Sequence, residues 1–164
     1  MKIIIAGDGK VGLALTRLLS EEGHDLVTID TNREVLERSA QLYDVMAVVG
    51  NCATMATLRE ANVEQADLLI AATSADEINL LCCLTARKLN PSLHTIARVR
   101  SPEYLEQLYL MREDFGLSML INPEREAAKE IFRLLKIPGF FKARDLCEGA
   151  RRDRRAARAR EQPA

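Results

Sequence analysis

The apolar positions of this chain fall into short solid runs separated by stretches with helical spacing. Residues 2–6 (KIIIA) are apolar after Lys2 and too short for a helix, which reads as a strand buried on both faces. Residues 11–22 follow, with Val11, Leu13, Leu15, Leu18 and Leu19 supplying the apolar face of a first helix, and Gly23 is placed to cap its end. The alternation then repeats. Strands are predicted at 25–29, 44–49, 67–72, 94–99 and 118–121. Helices are predicted at 32–42, 54–61, 75–89, 102–112 and 123–136. The punctuation agrees with this reading. Gly50 closes the third strand, Asn90-Pro91 stops the fourth helix, Pro102 and Pro123 open later helices, and Pro138-Gly139 breaks the last one. Six short strands alternating with helices imply an α/β fold: a doubly wound parallel six-stranded sheet with helices on both faces. Ligands of such sheets bind at the carboxyl ends of the strands, near the point where strand order reverses.

The first strand runs straight into Gly7-Asp8-Gly9-Lys10-Val11-Gly12, and the second ends in Asp30. Each part of that Gly-x-Gly-x-x-Gly unit has a physical reason. The chain must turn sharply at Gly7, come close to a pyrophosphate at Gly9, and let the helix approach the sheet at Gly12. The free N–H groups of the helix N-terminus then face the phosphates. An acid at position 30 suits the hydroxyls of a ribose and disfavours a 2′-phosphate. A glycine triplet alone is a weak signal. Strand, triplet, helix and answering acid together mark a Rossmann-like dinucleotide site.

Further candidates gather at other strand ends. Thr31 and Asn32 follow Asp30, Gly50-Asn51-Cys52 follow the third strand, and Ala72-Thr73-Ser74 follow the fourth. Asp76 and Asn79 share the first face of the fourth helix. Arg98 and Arg100 alternate along an extended segment, so both guanidinium forks suit phosphate from one side. Bland readings stand beside these. Asn51 can serve only a turn backbone, Thr73 or Ser74 only a helix cap, Lys10 only solvent, and the two arginines only surface acids. His24, His94 and the three tyrosines sit where packing or turns explain them. No Tyr-x-x-x-Lys pair or second catalytic domain accompanies the nucleotide motif, so no catalytic residue is expected. An NAD-dependent oxidoreductase is the alternative that the shared motif leaves open.

Composition narrows the partners. The 164 residues carry a net charge of −1. Residues 139–164 hold 8 basic and 4 acidic side chains, so the preceding body is acidic, at −5, and gives no reason to expect nucleic acid. No apolar run nears the roughly 20 residues that cross a bilayer, and the N-terminus reads as a core strand rather than a signal peptide. A cytoplasmic protein is expected. Cys52, Cys82, Cys83 and Cys147 form no Cys-x-x-Cys and have no histidine nearby, so neither structural disulfides nor a metal site is expected. Residues 150–164 are arginine-rich and poor in large apolar side chains, which suits a solvated tail or a binding segment.

Several stretches are more specific than the glycine turn: LVTIDTN, VVGNCATMATLREANVEQADLLIAATSADEINLL, IARVRSPEYL and INPEREAAKEIFRLLKIPG. Together with MKIIIAGDGKVG they resemble the N-terminal nucleotide-binding domain of the RCK/KTN family of potassium-uptake regulators, over about residues 1–139. The resemblance implies a regulatory subunit of a potassium-uptake system of the Trk/Ktr type, peripheral at the inner face of the membrane. It would bind NAD(H) or ATP/ADP, act on a membrane potassium-translocating subunit, and assemble as a homo-oligomer, a dimer or a larger ring. By the same resemblance, Gly7, Asp8, Gly9, Lys10 and Val11 contact phosphates, Gly12 completes the cofactor-binding turn, and Asp30 holds the adenosine ribose, with Thr31 and Asn32 as further binding candidates beside it. Gly50, Asn51 and Cys52 lie by the adenine. Ala72, Thr73 and Ser74 line the floor with Asn79, and Arg98 and Arg100 reach terminal phosphates. The expected organisation is a nucleotide-binding domain at 1–122, a crossover or dimerisation helix at 123–139, and an arginine-rich tail at 140–164 where relatives carry a second lobe.

Overall fold

A computed structural model of the protein describes residues 1–136. The strands are β1 (Lys2–Ala6), β2 (Asp25–Asp30), β3 (Met46–Val49), β4 (Leu68–Ala71), β5 (His94–Arg98) and β6 (Met119–Ile121). The helices are α1 (Lys10–Glu21), α2 (Arg33–Leu42), α3 (Met55–Glu60), α4 (Asp76–Leu89), α5 (Pro102–Leu110) and α6 (Pro123–Lys136). All strand pairs are parallel, in the order β3-β2-β1-β4-β5-β6. The expected Rossmann-like sheet is therefore present, and its order reverses between β1 and β4.

β1 lies at the centre because both of its faces are apolar. Ile4 and Ala6 join the larger core under α3, α4 and α5, while Ile3 and Ile5 join the smaller one with Leu26 and Ile70. Alternation along a single strand thus feeds both layers. Gly23 follows α1 as expected, its N–H donating to the Ser20 carbonyl at 3.0 Å. Asn32 and Thr54 cap α2 and α3 with side-chain oxygens.

Differences from the sequence reading are small, one or two residues at element ends. β3, β4 and β6 begin one or two residues later than predicted, because Asp44, Asp67 and Ser118 lie outside the ladder. Asp67 instead accepts the backbone N–H of Lys2 at 2.8 Å. A 3₁₀ turn at Val63–Gln65 was not predicted; Asn62 enters it in the left-handed region, φ 56°. Neither Thr73 nor Ser74 caps α4: the cap position is Ala75, without a side-chain bond.

Met1–Pro123 forms one compact unit. The last described helix, α6, has the predicted bounds and none of its residues is buried. Ile131, Phe132 and Leu135 are exposed on it, and Lys129–Glu126 and Arg133–Glu130 pairs, one turn apart, support its polar side. The predicted tail at 140–164 lies outside the described residues. No helix among the described residues is long and apolar enough to cross a membrane.

Candidate functional site

The glycine turn is set by close backbone approach. Gly7 has φ +97°, and its N–H donates to the Ile29 carbonyl at 2.7 Å. A Cβ at Gly7 would lie 2.8 Å from the Thr73 backbone, so the loop after β1 rests directly on the loop after β4. A Cβ at Gly12 would lie 1.9 Å from the Gly7 carbonyl oxygen, an impossible contact. Gly9 is different. A Cβ there would meet nothing within 4 Å, and the residue is exposed. Gly7 and Gly12 are thus glycines for the protein's own packing, whereas Gly9 keeps a surface bare. Gly9 is also the cap residue of α1 and provides no side-chain bond, so the first-turn amides at Lys10, Val11 and Gly12 have no side-chain cap. Lys10 is exposed.

Asp30 fastens this turn to β2. Its Oδ2 accepts the Asp8 N–H at 2.8 Å and its Oδ1 accepts the Asn32 N–H at 2.9 Å. Each carboxylate oxygen retains a lone pair, so the half-buried group can still accept from ligand hydroxyls. Thr31 and Asn32 are exposed beside it, and the Asn32 side chain is committed to capping α2. Asp8 is buried, and one of its carboxylate oxygens accepts from the Ser39 hydroxyl of α2. Burial pushes its carboxyl above the usual range and the nearby Asp30 adds to this, while the Ser39 bond works in the opposite direction. Asp8 Oδ1 is buried without a partner.

The loop after β3 lies next to Asp30. Val49 pairs with Asp30 in the ladder, and the Gly50 N–H donates to the Asp30 carbonyl at 2.9 Å. Asn51 is exposed and its Oδ1 accepts the Ala53 N–H at 3.0 Å, so its side chain does serve the turn. Cys52 is buried below it.

Beyond the switch point, the polar groups answer one another. Asn79, fully buried, accepts from the Thr73 N–H at 2.8 Å and the Thr73 hydroxyl at 2.7 Å. It donates to the Arg98 carbonyl at 2.9 Å and the Thr73 carbonyl at 3.3 Å. It therefore joins the end of β4 to the end of β5. Asp76, also buried, accepts the N–H groups of Arg100 and Ser101, each at 2.8 Å. Arg100 is half exposed, with its guanidinium 3.6 Å from Asp76 and donating to the Ser74 carbonyl. The acid-pairing reading of Arg100 is thus realised, although the acid is buried rather than superficial. Arg98 ends β5 and is partly buried. Ala72 is buried, and Thr73 and Ser74 lead from it to the surface.

The structure thus brings the loops after β1, β2, β3 and β4 to one end of the sheet, with the β5 arginines next along. Sequence spacing missed two supports of this site. Ser39 lies 31 residues from Asp8, and a serine inside a helix carries no signal of such a role. The two amides held by Asp76 could not be read from its place on α4. Among the described residues, no group of three or more His, Cys, Asp or Glu side chains could hold a metal ion. The arrangement offers phosphate an open glycine backbone at a helix N-terminus and offers hydroxyls an anchored carboxylate.

The sequence and the fold resemble those of several known proteins. The chain is 41% identical over 139 residues to a Trk system potassium uptake protein TrkA homolog of Archaeoglobus fulgidus, covering 85% of this chain and 31% of that protein. The crystal structure of the TrkA-N domain of the inner membrane protein ybaL from Escherichia coli superposes with a TM-score of 0.74 and 27% identity, covering 82% of this chain and 96% of that one. The GsuK channel is similar both in its structure bound to NAD (TM-score 0.62, 73% of this chain and 21% of that one) and in its structure bound to ADP (TM-score 0.66, 82% and 34%), each at 26% identity. The chain spans about a third to two thirds of the length of the curated relatives it matches. The family model of the TrkA-N domain matches residues 3–123, nearly the whole compact unit, and the chain belongs to that family.

Proposed function

We propose that this chain is the nucleotide-sensing part of a regulator of potassium transport, and that NAD(H) or ATP/ADP binds across the glycine turn. The observation that carries the reading is the turn itself: Gly7 and Gly12 packed tight, Gly9 bare, and Asp30 anchored alongside. In this reading Gly9 and the amides of Lys10, Val11 and Gly12 take the phosphates, with the Lys10 ammonium beside them. Asp30 takes the ribose diol. Gly50, Asn51 and Cys52 wall the adenine. Ala72, Thr73 and Ser74 form the floor, and Asn79 positions Thr73 from behind. Arg98 and Arg100 meet a terminal phosphate when one is present, Arg100 exchanging the Ser74 carbonyl for it.

Support comes from relatives named as Trk system proteins and from GsuK structures described as bound to NAD and to ADP. The regulator works by population shift: nucleotides that favour different geometries of a homo-oligomer bias that assembly, which acts on a membrane potassium-translocating subunit from the cytoplasmic side. No residue is assigned a catalytic role. Thermal-shift titration with NAD, NADH, ATP and ADP tests the reading, because a ligand of the folded state must raise the melting temperature. Stabilisation by at least one of these four is expected, and no shift from any of them would sink the proposal.

A further inference from the structure

Asp8 lies in the middle of the glycine turn, yet it is only 1% exposed. Two neighbouring elements fix it. Its N–H donates to Asp30 Oδ2 of β2 at 2.8 Å, and its own Oδ2 accepts from the Ser39 hydroxyl of α2. Its Oδ1 is buried and has no hydrogen-bond partner among the described residues. An ionised carboxylate spreads its charge over both oxygens, so a buried oxygen without a donor leaves part of that charge unsolvated. A proton on Oδ1 removes the charge and breaks no bond, because Oδ2 still accepts from Ser39. Asp30 is the opposite case: it is half-buried, and each of its oxygens takes a backbone N–H. The two carboxyl groups are joined through one N–H but differ in surroundings, which is how a proton-holding acid is set apart from a charged one. Asp30 on β2 is the charged group acting on Asp8, and α2 presents the neutral Ser39. On its own turn the Lys10 side chain is exposed, and the β4 loop packed on the turn brings Thr73, which does not titrate.

We propose that nucleotide binding is proton-linked through Asp8: the turn takes the phosphates together with one proton held on Asp8 Oδ1, and Ser39 is the positioning residue for that acid. The proposal rests on the nucleotide reading above. Asp8 directly precedes Gly9 and the first-turn amides of α1, which have no side-chain cap. A phosphate on those amides brings negative charge toward a buried carboxyl that already has Asp30 nearby, and this favours the protonated acid. The bound protein therefore holds the proton to higher pH than the free protein does. Affinity is greatest below the free protein's titration. It falls as pH rises through the interval between the free and bound titrations and levels off above the bound one. The Ser39 bond favours the charged form, so its loss moves that interval to higher pH. The site thus reads nucleotide and acidity together.

The test is calorimetry of NAD with the full chain across pH, in pairs of non-phosphate buffers that differ in ionisation enthalpy. NAD serves because its pyrophosphate keeps its charge over the acid-to-neutral range, and the difference in heat between buffers counts the protons taken up. Uptake approaching one proton is expected. Affinity should be about tenfold weaker on the alkaline plateau than on the acid one, which is one pH unit of displacement between the free and bound titrations. Asp8→Asn should take up no proton and show a flat profile over that interval. Ser39→Ala should move the profile to higher pH and Ser39→Thr should restore it, whereas a serine that only packs would leave it in place. Weakening in stronger acid, through protonation of Asp30, has the opposite slope and persists in Asp8→Asn. NAD binding without proton uptake, or uptake that survives in Asp8→Asn, would overturn the proposal and leave the nucleotide reading standing. No binding at any pH would remove both. The buffer comparison on the unsubstituted chain needs no variant to fold.

Discussion

The two sides of the switch point use polar groups in opposite ways. On the β1–β2 side, the backbone is bare at Gly9, the helix N-terminus has no side-chain cap, and Asp30 is anchored yet can accept more. On the β4–β5 side, Asn79 and Asp76 are buried and bonded to Thr73, Arg98, Arg100 and Ser101. One side keeps hydrogen-bonding capacity for a visitor; the other spends it on holding two loops in place. A nucleotide should therefore depend on the first side for affinity and on the second for geometry.

The sharpest break of that contrast lies within the glycine turn itself. Gly12→Val drives a side chain into the Gly7 carbonyl and is expected to cost about 3 kcal/mol or more in urea unfolding. Gly9→Val, three residues away, meets nothing and should cost only about 1 kcal/mol, the loss of a favourable cap residue, while abolishing any thermal shift from nucleotide. Equal destabilisation by both would show that the turn is one packed unit without a bare face. Next in size is Asn79→Ala on the other side. It strands the Thr73 N–H and the Arg98 carbonyl, and loss of roughly 2–4 kcal/mol is expected in denaturant titration. A loss confined to nucleotide affinity, with unfolding unchanged, would instead make Asn79 a ligand contact.

This division explains what the sequence made legible. The β1–β2 side depends on local order: an apolar run, glycines at fixed offsets, and an acid at a strand end. Each of these is written within thirty residues. The bounds of α6 were legible for the same reason, since Pro123 and the i,i+4 apolar spacing are local. The β4–β5 side depends on pairs far apart in sequence, such as Asp76 with the Arg100 and Ser101 amides, and on Asn90, whose side chain ties the carbonyls of Val63 and Ala66 at 3.0 Å. Nothing in the residue types distinguishes such an Asn from one that merely precedes a proline. The 3₁₀ turn at Val63–Gln65 was missed because its entry needs Asn62 in a left-handed conformation, which side-chain pattern does not reveal.

A smaller effect separates the two sides by pH. The fold raises the Asp8 carboxyl above its model-compound value of 3.8, chiefly through burial. The folded protein therefore holds that proton to higher pH than the unfolded chain. The stability contributed by Asp8 is complete below the unfolded value and is lost as pH rises through the folded one. Asp8→Asn keeps an acceptor for Ser39 and removes the buried charge. It should melt higher than the parent at neutral pH, and the difference should narrow as acid protonates Asp8. A constant difference across pH would mean that Asp8 is not the titrating group.

Arg100 gives a small change in stability and the clearest view of how the sides cooperate. Its guanidinium is half exposed, and Asp76 already has two backbone N–H donors without it. Arg100→Ala should thus cost about 1 kcal/mol in unfolding, because the pair is long, its guanidinium is the more exposed partner, and the buried Asp76 keeps both N–H donors. Ligand choice is where the loss should appear. A terminal phosphate offers the guanidinium a charge-assisted bond stronger than the Ser74 carbonyl does, whereas a nicotinamide ribose offers none of comparable strength. Calorimetry should therefore show ATP weakened more than NADH in Arg100→Ala, by roughly tenfold for one charge-assisted bond. Equal weakening of both would place Arg100 with Asn79 and Asp76 as part of the frame, and would leave discrimination between nucleotides to the β1–β2 side alone.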